Sequence, residues 1–421
     1  MAILDITDKL PNIEIENTPT NIDGVQPEYI AKPESPTDTV EILKYAHQKG
    51  IGVIPFGSGT KLGWGNPPQR CDLLINTAKL DKIIEYSPDD LIVKVQAGIK
   101  LEELQQELRK HNQMLALDPP EKSATIGGII AANASGPRRL RYGTTRDLLI
   151  GITVALTNGD LVHGGGKVVK NVAGYDLCKL FTGSLGTLGV IVEAVFRLHP
   201  LPTKSFILKV NLKDLDQAEQ CIQQVLNSYL VISALEAHCS STGEVSLWCM
   251  VEGSSENIAR SAAGALRQIL SNYGDCQVFD LEEDPAVYNN LRQYPWEADD
   301  LGIKFSSTIS RLKPIAMLAR STSQRHGCEF ELRSHAGSGI TYLAVKGGKN
   351  LPVDAQVSLI QSIREALTSE DSAMVLEASL PLKQRIDVWG YAGDALPLMK
   401  RIKDQFDPAK ILSPGRFVGG I

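Results

Sequence analysis

The sequence predicts an α+β protein with two main domains and a C-terminal segment. In the first part of the chain, helical and apolar strand patterns alternate, which is typical of an α/β domain. In the second part, one order of elements, strand-helix-strand-strand-helix-strand, occurs twice in succession, as in a pair of ferredoxin-like units. Glycine gives a third observation, because 20 of the 36 glycines lie in residues 50–189. The predicted domains are residues 1–202, 203–385 and 386–421.

The first domain opens with a clear helix signal. Ser35 is a cap residue, a proline suited to a first turn follows it, and Asp38 stands at the third helical position. Apolar residues then recur at helical spacing up to Gly50, a typical helix end. Further elements are predicted as strands at 51–55, 73–76 and 91–97 and a helix at 101–112. Asn158-Gly159, between two β-type runs, predicts a hairpin.

The second domain is predicted as two copies of one unit, beginning where the glycines become sparse after Pro202. The first copy comprises strand 206–212, helix 214–227, strands 231–239 and 245–251, helix 254–272 and strand 277–281. The second comprises strand 304–309, helix 313–326, strands 328–333 and 339–346, helix 352–368 and strand 373–378. The last stretch, 383–421, is predicted as a strand, a helix near 396–406 and a tail rich in proline and glycine.

Composition excludes several classes of protein. The chain has 43 Lys+Arg against 49 Asp+Glu, a formal net charge of −6, and therefore lacks the basic excess of a nucleic-acid binder. No apolar run approaches the roughly 18 to 20 residues of a membrane-spanning helix. We expect no signal peptide, because the N-terminus has early acids. Seven cysteines without Cys-x-x-Cys spacing indicate reduced thiols in a cytoplasmic protein, with no iron–sulfur ligand set.

Two glycine-rich segments of the first domain are candidates for binding a phosphate. In residues 55–65, Gly57, Ser58 and Gly59 follow a strand, so that successive N–H groups can converge on an anion. A plain turn is the alternative, since neither a P-loop nor a complete dinucleotide fingerprint is present. In residues 125–136, Thr125 can cap a helix that begins with two glycines, leaving bare amides at its N-terminus. Tight helix–sheet packing is the alternative there.

Two further segments extend this set. Residues 137–146 contain four arginines, which either form a solvated face or include one or two that bind a phosphate or carboxylate. Residues 183–197 place three glycines before an apolar strand, where chain and ligand can run side by side.

In this order the four segments resemble the FAD-binding domain of the p-cresol methylhydroxylase (PCMH) and vanillyl-alcohol oxidase superfamily. The resemblance covers about residues 30–202. Residues 170–189 and the tail 406–420 are similar to the branch that contains glycolate oxidase (dehydrogenase) and D-lactate dehydrogenase. Over the whole chain, the sequence resembles the E-subunit family of glycolate oxidase complexes. The implied fold is a PCMH-type FAD domain of two subdomains, an α/β cap of the two ferredoxin-like units, and a C-terminal segment that returns to the FAD domain.

The resemblance also implies a set of FAD-binding residues. They lie on the glycine loops, before and after the second glycine segment, and in the tail: Pro55, Phe56, Gly57, Ser58, Gly59, Thr60, Pro119, Ser123, Thr125, Gly127, Gly128, Asn133, Ser135, Gly136, Gly143, Gly189, Val190, Ile191 and Ser413. Some relatives hold FAD covalently through a His or Cys. Residues 55–65 contain neither, so we expect non-covalent FAD.

Departures from the family pattern concern the catalytic groups. Catalytic relatives carry a His-x-Gly-Asp-Gly-Asn-type segment and a later Glu-His-Gly that bind a metal. Here Ser338 replaces the acid after His335, and no Glu-His-Gly follows, so no metal is expected. His335 is either a general base beside the flavin or a structural histidine, and the missing ligands favour the second. Arg311 either binds a substrate carboxylate or belongs to an ordinary helix entry.

These observations predict the FAD-binding subunit of a glycolate (2-hydroxy-acid) dehydrogenase complex. The resemblance implies two partners, a larger flavin-containing D-type subunit and an iron–sulfur F-type subunit that receives the electrons. Two functions stay open: a subunit that oxidises glycolate or D-lactate itself, and a relay or scaffold whose larger partner does the chemistry. The expected location is the cytoplasm, with any membrane association made through partners.

Overall fold

The computed structural model describes residues 6–166, 175–391 and 393–421. It divides the chain into two compact units. The first comprises Met1–Ser135, Thr144–His199 and Ala392–Ile421, and the second comprises Gly136–Gly143 and Pro200–Tyr391. The main difference from the predicted boundaries is the segment Gly136–Gly143, which was expected in the first domain. No helix in the described ranges is long and apolar enough to cross a membrane.

The elements up to residue 200 are, in chain order, α1 (Ile6–Lys9), β1 (Glu14–Asn17), β2 (Tyr29–Lys32), α2 (Pro36–Lys49), β3 (Val53–Phe56), β4 (Leu73–Asn76), β5 (Ile83–Ser87), β6 (Ile92–Gln96), α3 (Leu101–Arg109), β7 (Gln113–Met114), α4 (Ile126–Ala132), α5 (Arg139–Tyr142), α6 (Thr145–Leu148), β8 (Leu149–Ala155), β9 (Leu161–Gly165), α7 (Leu177–Phe181), β10 (Val190–Arg197) and β11 (His199–Pro200).

The later elements are β12 (Lys204–Leu212), α8 (Leu215–Leu226), β13 (Ala234–Ser240), β14 (Val245–Gly253), α9 (Glu256–Leu270), β15 (Cys276–Asp280), α10 (Pro285–Leu291), β16 (Leu301–Ser306), α11 (Leu312–Arg325), β17 (Phe330–His335), β18 (Ile340–Val345), α12 (Val353–Glu365), β19 (Ser372–Glu377), α13 (Leu380–Lys383) and α14 (Leu396–Phe406). Single 3-10 turns lie at Thr77–Lys79, Ile309–Arg311, Gly348–Asn350, Gly393–Ala395 and Val418–Gly420.

A four-stranded and a five-stranded sheet are the larger sheets of the first unit. Its four-stranded sheet has the order β1-β2-β4-β3, with β2, β4 and β3 parallel. Its five-stranded antiparallel sheet has the order β5-β6-β10-β8-β9. The predicted capping box is confirmed, because Ser35 and Asp38 bond reciprocally at the start of α2, and Gly50 ends that helix at φ 64°. The predicted hairpin at Asn158-Gly159 is confirmed as β8–β9.

The C-terminal tail belongs to the first unit and lies beside β3. The N–H of Val53 donates to the carbonyl of Ile411 at 2.7 Å, and the N–H of Ser413 donates to the carbonyl of Val53 at 2.8 Å. Helix α14 is present as predicted. The strand predicted after residue 383 is wrong, because the described residues that follow α13 form turns. The N–H of Val375 donates to the carbonyl of Val388, but no strand is formed at this position.

The second unit is built on one antiparallel eight-stranded sheet of order β15-β12-β14-β13-β17-β18-β16-β19. Each half has the ferredoxin-like order, in which the unit's fourth, first, third and second strands are neighbours. The halves join through β13 and β17. Helices α8, α9, α11 and α12 cover one face with the main apolar core. The predicted tandem arrangement is therefore confirmed. Helix α10 was missed.

Candidate functional site

A cleft in the first unit brings together the glycine-rich segments. It contains about 820 Å³ of empty space, including its open mouth. Twelve of the predicted cofactor-binding residues line it: Pro55, Phe56, Gly57, Ser58, Gly59, Thr60, Thr125, Gly127, Gly128, Gly189, Val190 and Ile191. Residues far apart in the sequence therefore share one concave surface, which three of the four predicted segments line; the arginine-rich segment 137–146 does not line it.

The loop after β3 supplies backbone donors to this cleft. Within the described part of the chain, the N–H groups of Gly57, Ser58 and Gly59 donate to no protein acceptor. Gly59 has a φ of +76°, which favours glycine. A Cβ on Gly57 would lie 2.0 Å from Oγ1 of Thr125, so only glycine fits where this loop meets the next segment. Free amides without side-chain obstruction can bind an anion.

Helix α4 contributes in a different way from that expected. Its first three amides all donate within the protein; Gly127, for example, donates to the carbonyl of Ala97 at 2.7 Å, and Gly128 to Oγ1 of Thr125 at 3.4 Å. The expectation of bare amides at this helix start is therefore wrong. A Cβ on Gly127 would lie 2.9 Å from that of Ala97, which makes close packing the reason for this glycine. Gly128 has only Thr125 Oγ1 near its missing Cβ.

The third wall comes from the loop before β10 and from the tail. Gly186, at φ +72°, packs so closely that a Cβ there would lie 2.7 Å from Cγ of Pro55. The hydroxyl of Ser413 donates to the carbonyl of Gly186 at 3.4 Å. Lys403 is buried and donates to Asp407 and to the carbonyls of Thr187 and Leu412 at 2.7–2.8 Å. This cluster fixes the tail against the loop that lines the cleft.

The charged side chains that line the cleft are basic in the part of the chain that the structure describes: Lys61 and Arg416. Nη2 of Arg416 donates to the carbonyls of Leu62 and Trp64, and the residue is buried. Nζ of Lys61 lies 2.5 Å from Oε2 of Glu121. Burial lowers the pKa of Lys61, and the carboxylate of Glu121 opposes that shift. The pKa of Arg416 is also lowered by burial.

Seven predicted cofactor residues lie outside this lining. Ser123 contacts the loop, because its carbonyl accepts the hydroxyl of Ser58 at 2.5 Å. Ser135 accepts the N–H of Thr145 at 3.4 Å, and Asn133 ends α4 in the left-handed conformation. The other four are Pro119, which is buried before α4, Ser413, described above, and Gly136 and Gly143, which belong to the second unit. Residues 170–174, the start of the segment that resembles the glycolate oxidase branch, lie outside the described residues.

Several residues of the lining were not among the predicted site residues: Lys61, Leu62, Thr77, Leu185, Gly186 and Arg416. A signal existed for Lys61, which directly follows the glycine loop, and for Arg416, which stands in the tail segment that carried the resemblance. Their burial could not be read from composition, and both are basic residues of kinds that are usually exposed.

The arginine-rich segment binds a carboxylate of the second unit. Arg138 donates to Glu252 at 2.7 Å, and the hydroxyl of Tyr142 donates to the same carboxylate at 3.0 Å. Arg141 donates to Ser233 at 3.2 Å. The side chain of Glu252 is fully buried. These arginines thus attach their segment to β14 and its neighbour, a role that neither sequence hypothesis included.

His335 lies at the end of β17, in the junction of the two halves of the sheet. Its Nδ1 donates to the carboxylate of Glu236, 2.8 Å from both oxygens, and both residues are buried. Among the described residues no group of three or more His, Cys, Asp or Glu side chains could hold a metal ion. Arg311 donates to the buried carboxylate of Asp371 at 2.9 Å. The catalytic roles of His335 and Arg311 stay predictions.

The cleft fits a flavin dinucleotide in its chemistry. Free amides on the glycine loop and two buried cations suit a diphosphate, and apolar residues such as Ile129, Val190 and Ile191 offer walls for flat rings. Gly57, Gly186 and Gly189 pack so closely on their neighbours that a side chain at any of them would clash.

Comparisons with known proteins agree with this chemistry. Residues 27–165 match the family model described as FAD binding domain. A D-lactate dehydrogenase of Archaeoglobus fulgidus is 26% identical over 411 residues, which cover 92% of this chain and 91% of that protein. A D-2-hydroxyglutarate dehydrogenase of Xanthomonas citri pv. viticola is 25% identical, with 98% and 96% covered. The glycolate oxidase subunit GlcD of Bacillus subtilis is 34% identical over 50% of this chain and 45% of its own length.

Solved structures show the fold. Substrate-bound p-cresol methylhydroxylase superposes with a TM-score of 0.75 at 18% identity, covering 98% of this chain and 92% of that one. A 4-ethylphenol oxidase from Gulosibacter chungangensis gives a TM-score of 0.72 at 14% identity, with 94% and 90% covered. Fold and cleft together define a protein that binds a phosphate-bearing cofactor. Residues 27–165 carry an FAD binding domain, and the chain as a whole has the fold of p-cresol methylhydroxylase.

Proposed function

We propose that this chain is an FAD-dependent oxidoreductase acting on the CH–OH group of a 2-hydroxy acid, glycolate or D-lactate, as the flavin-binding subunit of a dehydrogenase complex. The observation that carries the proposal is the cleft, where unobstructed amides and two basic side chains lie among apolar walls. The similarity to a D-lactate dehydrogenase over 92% of the chain supports the substrate class.

The residues of the first unit bind and orient the cofactor. The amides of Gly57, Ser58 and Gly59 would hold the diphosphate, and Lys61 and Arg416 would balance its charge. The apolar residues of the cleft exclude water from the rings. FAD held there non-covalently would supply a two-electron acceptor that can release its electrons one at a time.

His335 is the proposed proton acceptor for the substrate hydroxyl. Its Nδ1 is held by the buried carboxylate of Glu236, which fixes the ring and leaves Nε2 as the nitrogen that would face the substrate hydroxyl. Arg311 is a weaker candidate as the ligand of the substrate carboxylate, because Asp371 already occupies its Nη2.

The second candidate function is a flavin-binding relay or scaffold, with a larger partner that oxidises the substrate. It is favoured by Ser338, which stands where the catalytic relatives have an acid. The similarity to the glycolate oxidase subunit GlcD supports a role in a glycolate oxidase complex. In such a complex the proposed partners are a larger D-type subunit and an iron–sulfur F-type subunit that would accept the electrons. Seven free cysteines, six of them buried, are consistent with a cytoplasmic location.

An anaerobic mixing experiment tests the proposal. The purified chain, loaded with FAD, is mixed with glycolate or D-lactate, and absorbance in the flavin band is followed. Prompt bleaching of the chain alone is the result expected if it oxidises the substrate. Bleaching only after the larger partner is added supports the relay. A folded protein that takes up no FAD contradicts both.

A further inference from the structure

Lys61 has an environment unlike that of an ordinary surface lysine. Its side chain is only 8% exposed. Its ammonium group lies 4.9 Å from the ring centre of Trp64 and 2.5 Å from Oε2 of Glu121, whose side chain is 21% exposed. Keeping an ammonium charged in such a place has a desolvation cost. The charged form persists only when the surroundings supply opposite charge that offsets this cost. Glu121 supplies one negative charge.

Lys61 belongs to the lining of the cleft. The residue immediately follows the loop of free amides and lines the same cavity as Thr60 and Leu62. The second basic side chain there, Arg416, donates to the carbonyl oxygens of Leu62 and Trp64, so it also fixes the chain on either side of Gly63. Two buried cations thus face a cavity whose proposed ligand carries two phosphate charges.

We propose that Lys61 determines the preference of the cleft for a dinucleotide flavin over a flavin without phosphate, and that Glu121 is the counter-charge that occupies the ammonium group of Lys61 until the ligand binds. The inference rests on the proposed flavin function. It assigns separate roles to two members of one ion pair. Lys61 acts on the diphosphate, whereas Glu121 competes with the diphosphate for the same ammonium group.

Titration of flavin-free full-length protein with FAD and with riboflavin tests the inference, using quenching of flavin fluorescence to obtain the dissociation constants. Lys61→Met removes the charge and keeps much of the side-chain length. We expect FAD binding to weaken about 10- to 100-fold, the usual value of a charge-assisted contact, and riboflavin binding to change less than about twofold. Lys61→Arg keeps the charge and should retain most of the preference. Lys110→Met, an exposed lysine paired with Glu107, is the matched control.

Glu121→Gln separates recognition from mere support of the fold. If the inference is right, this variant binds FAD at least as tightly as the natural chain, because the competing carboxylate is gone, although the flavin-free form unfolds at a lower temperature. Equal weakening of FAD and riboflavin by Lys61→Met, or loss of FAD affinity in Glu121→Gln, would overturn it. Failure of the natural chain to bind either flavin would instead contradict the proposed function.

Discussion

Gly57 is the position where the smallest substitution should disturb the cofactor cleft most. A Cβ added there would lie 2.0 Å from Oγ1 of Thr125, and ordinary contact begins at 3.4 Å, so one group must move by at least 3.4 − 2.0 = 1.4 Å. Thr125 cannot yield freely, because its Oγ1 caps α4 through the N–H of Gly128. Gly57→Ala therefore has two costs, overpacking and a lost cap.

The two costs can be weighed against a gain in the unfolded state. Overpacking costs about 1–3 kcal/mol and a lost threonine cap about 1 kcal/mol. Replacing glycine by alanine returns about 0.4–1 kcal/mol by restricting the unfolded chain. The free energy of unfolding should fall by about 2 kcal/mol, and FAD should bind about tenfold more weakly or worse, because Thr125 lines the cleft.

Urea unfolding and FAD titration of Gly57→Ala check these values. Gly63→Ala is the matched control on the same loop, since nothing lies within 4 Å of its missing Cβ, and it should leave stability unchanged or slightly raised. Adding Thr125→Gly to Gly57→Ala removes the clash at the cost of a few tenths of a kcal/mol at the cap, and should recover most of the loss. Gly57→Ala behaving like Gly63→Ala would refute the reasoning.

Three further predictions concern buried charge. Lys403→Met leaves a buried carboxylate without its cation and should lower the free energy of unfolding by about 3–5 kcal/mol. The control Lys410→Met, at an exposed ion pair, should change it by less than about 1 kcal/mol. Similar losses in the two variants would contradict the argument. Burial lowers the pKa of Lys304 to about 8. The unfolded chain still binds that proton up to about pH 10.5, so the stability of the folded chain should increase as the pH rises from 8 to 10. The urea midpoint of the natural chain should therefore rise over this range relative to that of Lys304→Met. Parallel pH profiles of the two proteins would contradict the prediction. Glu252→Gln should cost about 1.5–3 kcal/mol by weakening its bonds to the arginine-rich segment; an unchanged urea midpoint would show that these bonds contribute little.

Local signals accounted for the elements that were predicted correctly. The cap at Ser35, the turn at Asn158-Gly159 and the repeated order of the second unit depend on neighbouring residues, which a sequence displays directly. Strand β1 was missed because its residues, Glu-Ile-Glu-Asn, show no apolar alternation. It is an edge strand whose one neighbour in the sheet is β2. Helix α10 was missed although Pro285 stands at its start.

The candidate site was predictable in its backbone and less so in its charges. Glycine clusters indicate where a chain must approach a ligand. Twelve of the residues predicted on and around these clusters line one cleft. Which amides remain free depends on long-range bonds, and the carbonyl of Ala97 occupies the amide of Gly127. The partner of Arg138 is Glu252, 114 residues away, and no local pattern indicates that contact.

The bonds from Arg416 to Leu62 and Trp64 join residues more than 350 positions apart. A ribosome that adds about 5–20 residues per second needs roughly 20–70 seconds to pass from one partner to the other. During that time the glycine loop has been made but the cleft lacks its last wall, while all of the second unit is synthesised. The cleft is therefore completed only after the second unit has been synthesised, and any cofactor uptake that needs all of its walls must follow that event.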